Sequence, residues 1–179
     1  FMGAAHKLEP AVAAFITSLL IGGWGCGAPV FGWISGRLGQ RRAPLLIGYA
    51  IALPSFLMLV YGPPMHASLV GALTFLTGFG GSAQIMCFAT VREVNPPALA
   101  GTAIGVVNAM VTGTGAIYQP TIGWILDRSW SGTIVNGARI YTVADYRTGF
   151  AVLVAGLLVG LACAISMRET WCRPLTADE

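Results

Sequence analysis

The chain has 179 residues, of which 55% are hydrophobic and only 9% charged; a soluble domain of this size and balance would have almost no solvated surface. The net charge of +3 is small and divided along the chain, which excludes a strongly basic face and argues against nucleic acid as a partner. A lipid bilayer is the expected solvent.

A helix needs about 20 apolar residues to cross about 30 Å of hydrocarbon. The stretches free of Asp, Glu, Lys and Arg run 10–36, 43–65, 67–91, 94–126 and 148–167. A charge at the centre of a span costs roughly 2.5–3.5 kcal/mol on insertion scales, so keeping every charged residue outside five stretches is a physical requirement of spanning. The expected fold is all-α and transmembrane, a single domain over 1–179 with spans at about 11–36, 43–61, 68–91, 98–126 and 148–167.

The first span carries Gly23 and Gly27, a small-xxx-small pair that admits a neighbouring backbone, and Pro29, which permits a bend. The second is greasier, ends at Tyr61-Gly62-Pro63-Pro64 and is expected to face lipid. In the third, Thr77, Gly81 and Gln84 recur at helical spacing and place a polar stripe on one face. The fourth has two stripes: Gly101, Gly105, Ala109 and Gly113 for packing, and Asn108, Thr112, Gly115 and Gln119 beside them as a polar face. Pro120 cannot bond back to Ala116, which marks a second hinge. The fifth repeats the small-residue spacing with Gly156, Gly160 and Ala164. The longest connection, 127–147, carries Trp130, Tyr141 and Tyr146, aromatics suited to an interface.

Three arginines and no acid occupy the short connection Arg37-Leu38-Gly39-Gln40-Arg41-Arg42, which the positive-inside rule assigns to the cytoplasm. Alternation then puts the 92–97 connection and the C-terminal tail on the same side, in a multi-pass protein of the cell (inner) membrane. Cys26, Cys87, Cys163 and Cys172 show no paired spacing, so neither disulfide nor metal site is expected. A short repeat, Gly32-Trp33-Ile34-Ser35-Gly36-Arg37 and Gly123-Trp124-Ile125-Leu126-Asp127-Arg128, closes spans of opposite direction. It reads either as an inverted repeat or as convergence on a Gly-Trp interfacial ending.

The string from Gly32 to Arg42 resembles the signature of the major facilitator superfamily, G-x-x-x-D-R-x-G-R-R/K-x, with Gly32, Arg37, Gly39 and Arg41 matching; Gly36 stands where the acid is usual and Gln40 where a base is usual. That degeneracy is similar to the second copy of the motif. The resemblance therefore implies helices eight to twelve of a twelve-helix carrier, an incomplete six-helix half whose missing first half is the expected partner. Glu93-Val94-Asn95-Pro96-Pro97 is similar to the family's connection between helices ten and eleven, although Ala100 replaces the arginine often found there.

The family's architecture implies that Gly32, Arg37, Gly39, Arg41, Arg42 and Glu93 form a gating loop. Its arginines would hold carboxylates or lipid phosphates on one side of the membrane in one arrangement of the carrier and release them in the other. The candidates for substrate contact are Gln84, Asn108, Gln119, Thr77, Thr112 and Trp24, because buried amides and hydroxyls offer donors and acceptors to a polar solute. Pro29 and Pro120 are the candidate hinges. His6 and His66 sit at outer ends, away from any constellation of acid and nucleophile, and there is no phosphate-binding or metal-ligand spacing. No enzyme, cofactor or metal is expected. The expected function is transport of a small polar solute by alternating access. The alternative is a non-transporting fragment or a structural membrane protein that packs with partner helices.

Overall fold

The computed structural model describes residues 1–135 and 138–174. A short helix α1 (Met2–His6) precedes α2 (Pro10–Leu38), α3 (Arg42–Tyr61), α4 (Ala67–Gly81), α5 (Ile85–Glu93), α6 (Ala100–Ser129) and α7 (Val143–Ser166). A two-residue antiparallel ladder, β1 (Ile134–Val135) with β2 (Ala138–Arg139), lies in the connection between α6 and α7. Counting α4 and α5 as one segment, five helical segments are long and apolar enough to cross a membrane, as the charge-free stretches require.

The first span stops where the backbone demands it. Gly39 adopts a left-handed conformation at φ 62, which an L side chain rarely accepts, so α2 ends one residue earlier and the chain turns directly into α3. Both α2 and α6 continue as helices through Pro29 and Pro120. The interruption falls instead in the third span, where a 3-10 turn at Ser82–Gln84 separates α4 from α5. The expected single helix over 68–91 is thus two helices in series. The change of hydrogen-bond pattern falls next to Gly78, Gly80 and Gly81, where three glycines in four residues weaken helix propensity.

Packing centres on α2 against α4 and α3 against α4. A Cβ on Gly78 would overlap the Leu20 backbone, one on Gly23 the Phe75 carbonyl, and one on Gly27 both Ser82 and Phe79. The Gly23/Gly27 pair therefore does what its spacing predicts. The second span differs from expectation: α3 is not a lipid-facing helix throughout. Leu45, Gly48, Ala52, Ser55, Leu59 and Val60 are buried along one side, while Ile47, Met58 and Tyr61 stay exposed. The reason is Gly48, which approaches Gly80 so closely that a Cβ on either would meet the other's carbonyl.

The fourth span departs in the opposite sense. No residue of α6 is buried, and Gly101, Gly105 and Gly113 have no atom within 4 Å of a notional Cβ. The stripe expected to pack is open among the described residues, because α6 leans on α5 and α7 through its other sides. The fifth span matches expectation on this point. Gly156 receives Tyr118 of α6, Gly160 receives Tyr49 of α3, and Ala164 is buried.

The start of α7 lies before the charge-free stretch. A capping box forms in which the Thr142 hydroxyl accepts from the Asp145 amide and the Asp145 carboxylate accepts from the Thr142 amide, so the helix begins at Val143 rather than near 148. Arg147 is accommodated near the start of α7 because its guanidinium donates to carbonyls at the end of α3, Val60 at 2.9 Å and Tyr61 at 3.2 Å, and to that of the capping Gly62 at 2.9 Å. Those carbonyls have no partner within their own helix.

Replacing Gly78 with Val should lower the stability of the detergent-solubilised protein by about 1–3 kcal/mol, the usual cost of overpacking, read as a fall in Tm. Gly101→Val, in open space, should leave Tm near that of the wild type, apart from a small helix-propensity effect.

Candidate functional site: an uncharged recess and a charged helix-end cluster

Three of the six candidate contact residues converge. Trp24 of α2, Thr77 of α4 and Gln84 of the 3-10 turn line one recess of about 450 Å³, together with Leu20, Ile21, Gly78 and Gly81. The convergence follows from the glycine-mediated approach of α2 to α4, which brings the Trp24 turn beside the Thr77–Gln84 stripe. Thr77 Oγ donates to the Leu73 carbonyl at 2.8 Å, which commits its proton and leaves its lone pairs to face the recess as acceptors. Trp24 is 44% exposed. Neither its indole N–H nor the Gln84 amide has a hydrogen-bond partner among the described residues. The walls thus offer one aromatic face, one amide, one hydroxyl acceptor and no charge.

Asn108, Thr112 and Gln119 do not join this recess. All three are exposed on α6, which packs on α5 and α7. The expected six-residue set is therefore split into a formed recess and a separate open polar stripe. Sequence spacing identified a face on each helix; it carried no information about which faces turn toward each other.

The second assembly lies where α2 ends, α3 begins, α5 ends and the chain leaves α7. Arg41 donates to Glu93 from Nη2 at 2.5 Å and from Nε at 3.1 Å, and from Nη1 to Ser35 Oγ at 2.8 Å. The Thr170 hydroxyl donates to the other carboxylate oxygen of Glu93 at 2.5 Å. Glu169 accepts from the backbone amides of Arg41 at 2.7 Å and Arg42 at 2.9 Å, closing the N-terminus of α3 with a carboxylate. Ser35 is fully buried and its hydroxyl donates to the Gln40 carbonyl at 2.6 Å. With Arg41 and Glu93 side chains only 17% and 11% exposed, this forked pair is shielded from solvent and held from several directions.

The electrostatics agree with the geometry. The hydrogen bond that Arg41 donates to Glu93, reinforced by the carboxylate's charge, raises Arg41 above the ordinary guanidinium value against the opposing effect of burial. Burial pushes the Glu169 carboxyl up, but the backbone donors of Arg41, Arg42, Trp171 and Thr170 outweigh it and hold it below the usual carboxylate range.

The residues expected to form a gating loop take different parts. Arg41 and Glu93 form the ion pair, and Gly39 makes the turn that delivers Arg41. Arg37 is exposed and lies over the Trp33 ring at 4.6 Å. Arg128 lies over Trp124 at 5.4 Å, so the two Gly-Trp repeats share a local stacking as well as a string. Arg42 contributes its amide to Glu169, while its buried Nε has no partner. Gly32 has no atom within 4 Å of a notional Cβ, so no other element packs closely on it among the described residues. Ser35, Glu169 and Thr170 had no assigned role. The available signal was that Glu93 and Glu169 are, among the described residues, the acids near the three arginines at this end of the bundle.

The family model of the Major Facilitator Superfamily matches residues 1–174. The chain belongs to this superfamily. No curated protein and no solved structure matches it. Superfamily membership, with five helical segments able to cross a bilayer, makes it a multi-pass membrane protein of a solute-transport family. Among the described residues no group of His, Cys, Asp and Glu is placed to hold a metal, and the cysteines are free.

Arg41→Ala should destabilise the protein by about 1–3 kcal/mol, because it leaves the partly buried Glu93 without its charged donor, whereas Arg37→Ala should change Tm little. The depressed Glu169 carboxyl gives a signed pH dependence. Its stabilising contribution is present above the ordinary glutamate value of about 4.3 and is lost as pH falls through the lower folded value. The Tm difference between wild type and Glu169→Gln should accordingly be level above about pH 5 and shrink on acidification.

Proposed function

We propose that this chain forms one half of a solute carrier working by alternating access, with the Trp24–Thr77–Gln84 recess as its contribution to the binding cavity for a small polar solute. The observation that carries this reading is the convergence of an indole, an amide and a hydroxyl from α2, α4 and the 3-10 turn on one uncharged recess. The open glycine faces of α2 and α6, where Gly25, Gly32, Gly36, Gly101, Gly105 and Gly113 have open space around a notional Cβ, support a second bundle of similar kind as the other half. In this reading the chain corresponds to helices eight to twelve, and Asn108, Thr112 and Gln119 reach the cavity only when that second bundle closes around α6.

The Arg41–Glu93 pair and Glu169 serve as a fastening inside this bundle rather than as a gate that opens and closes. All of their partners lie within this one bundle, so they hold the ends of α2, α3, α5 and α7 together as a unit that rocks as a body. The end carrying Arg37, Arg41, Arg42 and Arg92 faces the cytoplasm of a cell (inner) membrane, as its arginines favour. Coupling to a proton, as in a symporter, would draw on titratable groups of the other half, because no Asp, Glu, Lys, Arg or His lies deep in these five spans.

Uptake by the full-length carrier reconstituted in vesicles tests this reading. Gln84→Ala should reduce uptake about tenfold, as expected when a buried polar contact to solute is lost, with Tm unchanged. Arg41→Ala should reduce uptake together with Tm. Wild-type uptake by both variants would reject the recess and the fastening role together.

A further inference from the structure

On the α3 and α7 side of the third span lies a smaller recess of about 220 Å³, whose lining includes Gly48, Tyr49, Gly80, Gly81, Gln84 and Leu157. Gly81 and Gln84 also line the solute recess on the α2 side, so the two spaces meet where α4 gives way to the 3-10 turn. Gly81 is exposed and has helical backbone angles, and a notional Cβ on it has no atom within 4 Å. A glycine at this point leaves open a space that a larger residue would fill.

Two polar side chains face the smaller recess, Tyr49 and Gln84. The Tyr49 hydroxyl lies in a notch of α7 against Gly160, where a Cβ would overlap the oxygen, and the notch fixes the ring. Like the Gln84 amide, this hydroxyl has no hydrogen-bond partner among the described residues. Both groups belong to membrane spans, where an unpaired donor is costly and bulk water is not at hand. A recess of this size has room for several waters, each about 30 Å³ in the liquid, or for the polar end of a solute that displaces them.

We propose, resting on the carrier reading above, that the two recesses are lobes of one solute site, with Tyr49 as a further solute contact. The solute is uncharged and carries hydroxyl groups toward both ends. No charged side chain lines either lobe among the described residues, and an unpaired charge is far costlier to bury than a hydroxyl. Thr77, whose proton is committed to the Leu73 carbonyl, can only accept. Tyr49 has its proton free to donate, and the Gln84 amide does both. A hydroxyl group satisfies all three, because it donates to the first, accepts from the second and does both with the third. Trp24 adds an aromatic face for the carbon frame, and the bare Gly81 sets the width of the passage between the lobes.

Uptake by the full-length carrier reconstituted in vesicles tests this, with xylitol as the uncharged probe and choline and lactate as charged ones. Xylitol should enter saturably, and choline and lactate at the same concentration should not. Tyr49→Phe removes one oxygen and keeps the ring in the Gly160 notch. It should raise the half-saturation concentration for xylitol about fivefold, the usual worth of one hydrogen bond, with maximal rate and Tm unchanged. Gly81→Val should abolish xylitol uptake while Tm stays at or above that of the wild type, because glycine is a weak helix former and the added side chain meets no atom of the described residues. An unchanged half-saturation in Tyr49→Phe beside impaired uptake in Gln84→Ala would overturn the second lobe and leave the carrier reading standing. A lower Tm in Gly81→Val would make Gly81 a packing contact and overturn the junction. Saturable uptake of choline or lactate, or of none of the three probes, would overturn the solute class. Wild-type uptake by Gln84→Ala would instead reject the solute recess on which both readings stand.

Discussion

Inside a bilayer no hydrophobic force draws one apolar helix to another, so the bundle depends on how closely backbones can approach. The approach that matters most here is α2 to α4. Gly78 lies against the Leu20 backbone, Gly23 against Phe75 and Gly27 against Phe79 and Ser82. From the other side of α4, Gly80 meets Gly48 of α3. One helix is thereby clamped between two others at backbone contact distance, and it is the helix that carries Thr77 and leads into Gln84. The recess exists because glycine removes the side chains that would otherwise hold α2 and α4 apart.

Charge does the complementary work at the ends. Helix termini leave carbonyls and amides without internal partners, and the chain satisfies several of them with ionised side chains from distant segments. Arg147 closes the carbonyl end of α3, and Glu169 closes its amide end. Arg41 and Glu93 tie that same end to α5, and Ser35 ties it to α2. The middle of α3 is held by small-residue packing and its two ends by charge. The bundle is thus fastened at its ends by charge, and its middle is left uncharged.

Much of this was legible in order along the chain. The exclusion of charge from hydrocarbon has so large an energetic penalty that five spans could be counted directly, and their edges mostly agree with the helices observed. Gly39 could be read as a turn because few other residues tolerate its backbone conformation, and Gly23 with Gly27 could be read as a packing pair. The site was half legible. Periodicity placed Thr77 with Gln84, and Asn108 with Thr112, each on one face of its own helix. Periodicity does not say which face meets which, so Trp24 joining Thr77 while Asn108 stands apart came from packing alone. The same limit explains why α3 was expected to face lipid: a greasy helix reads alike whether it touches acyl chains or Leu45, Ala52 and Leu59 are covered by neighbours.

The sequence by itself determined the solvent, the number of crossings, the basic end and the family, because these follow from residue type and spacing against a fixed slab of hydrocarbon. Tertiary structure decided which glycines pack and which lie open, where the third span breaks, and which arginine takes the carboxylate. Arg37, Arg41 and Arg42 are equivalent as letters. Only Arg41 is delivered by the Gly39 turn to within reach of Glu93 and Ser35, and that selection is a matter of three-dimensional distance.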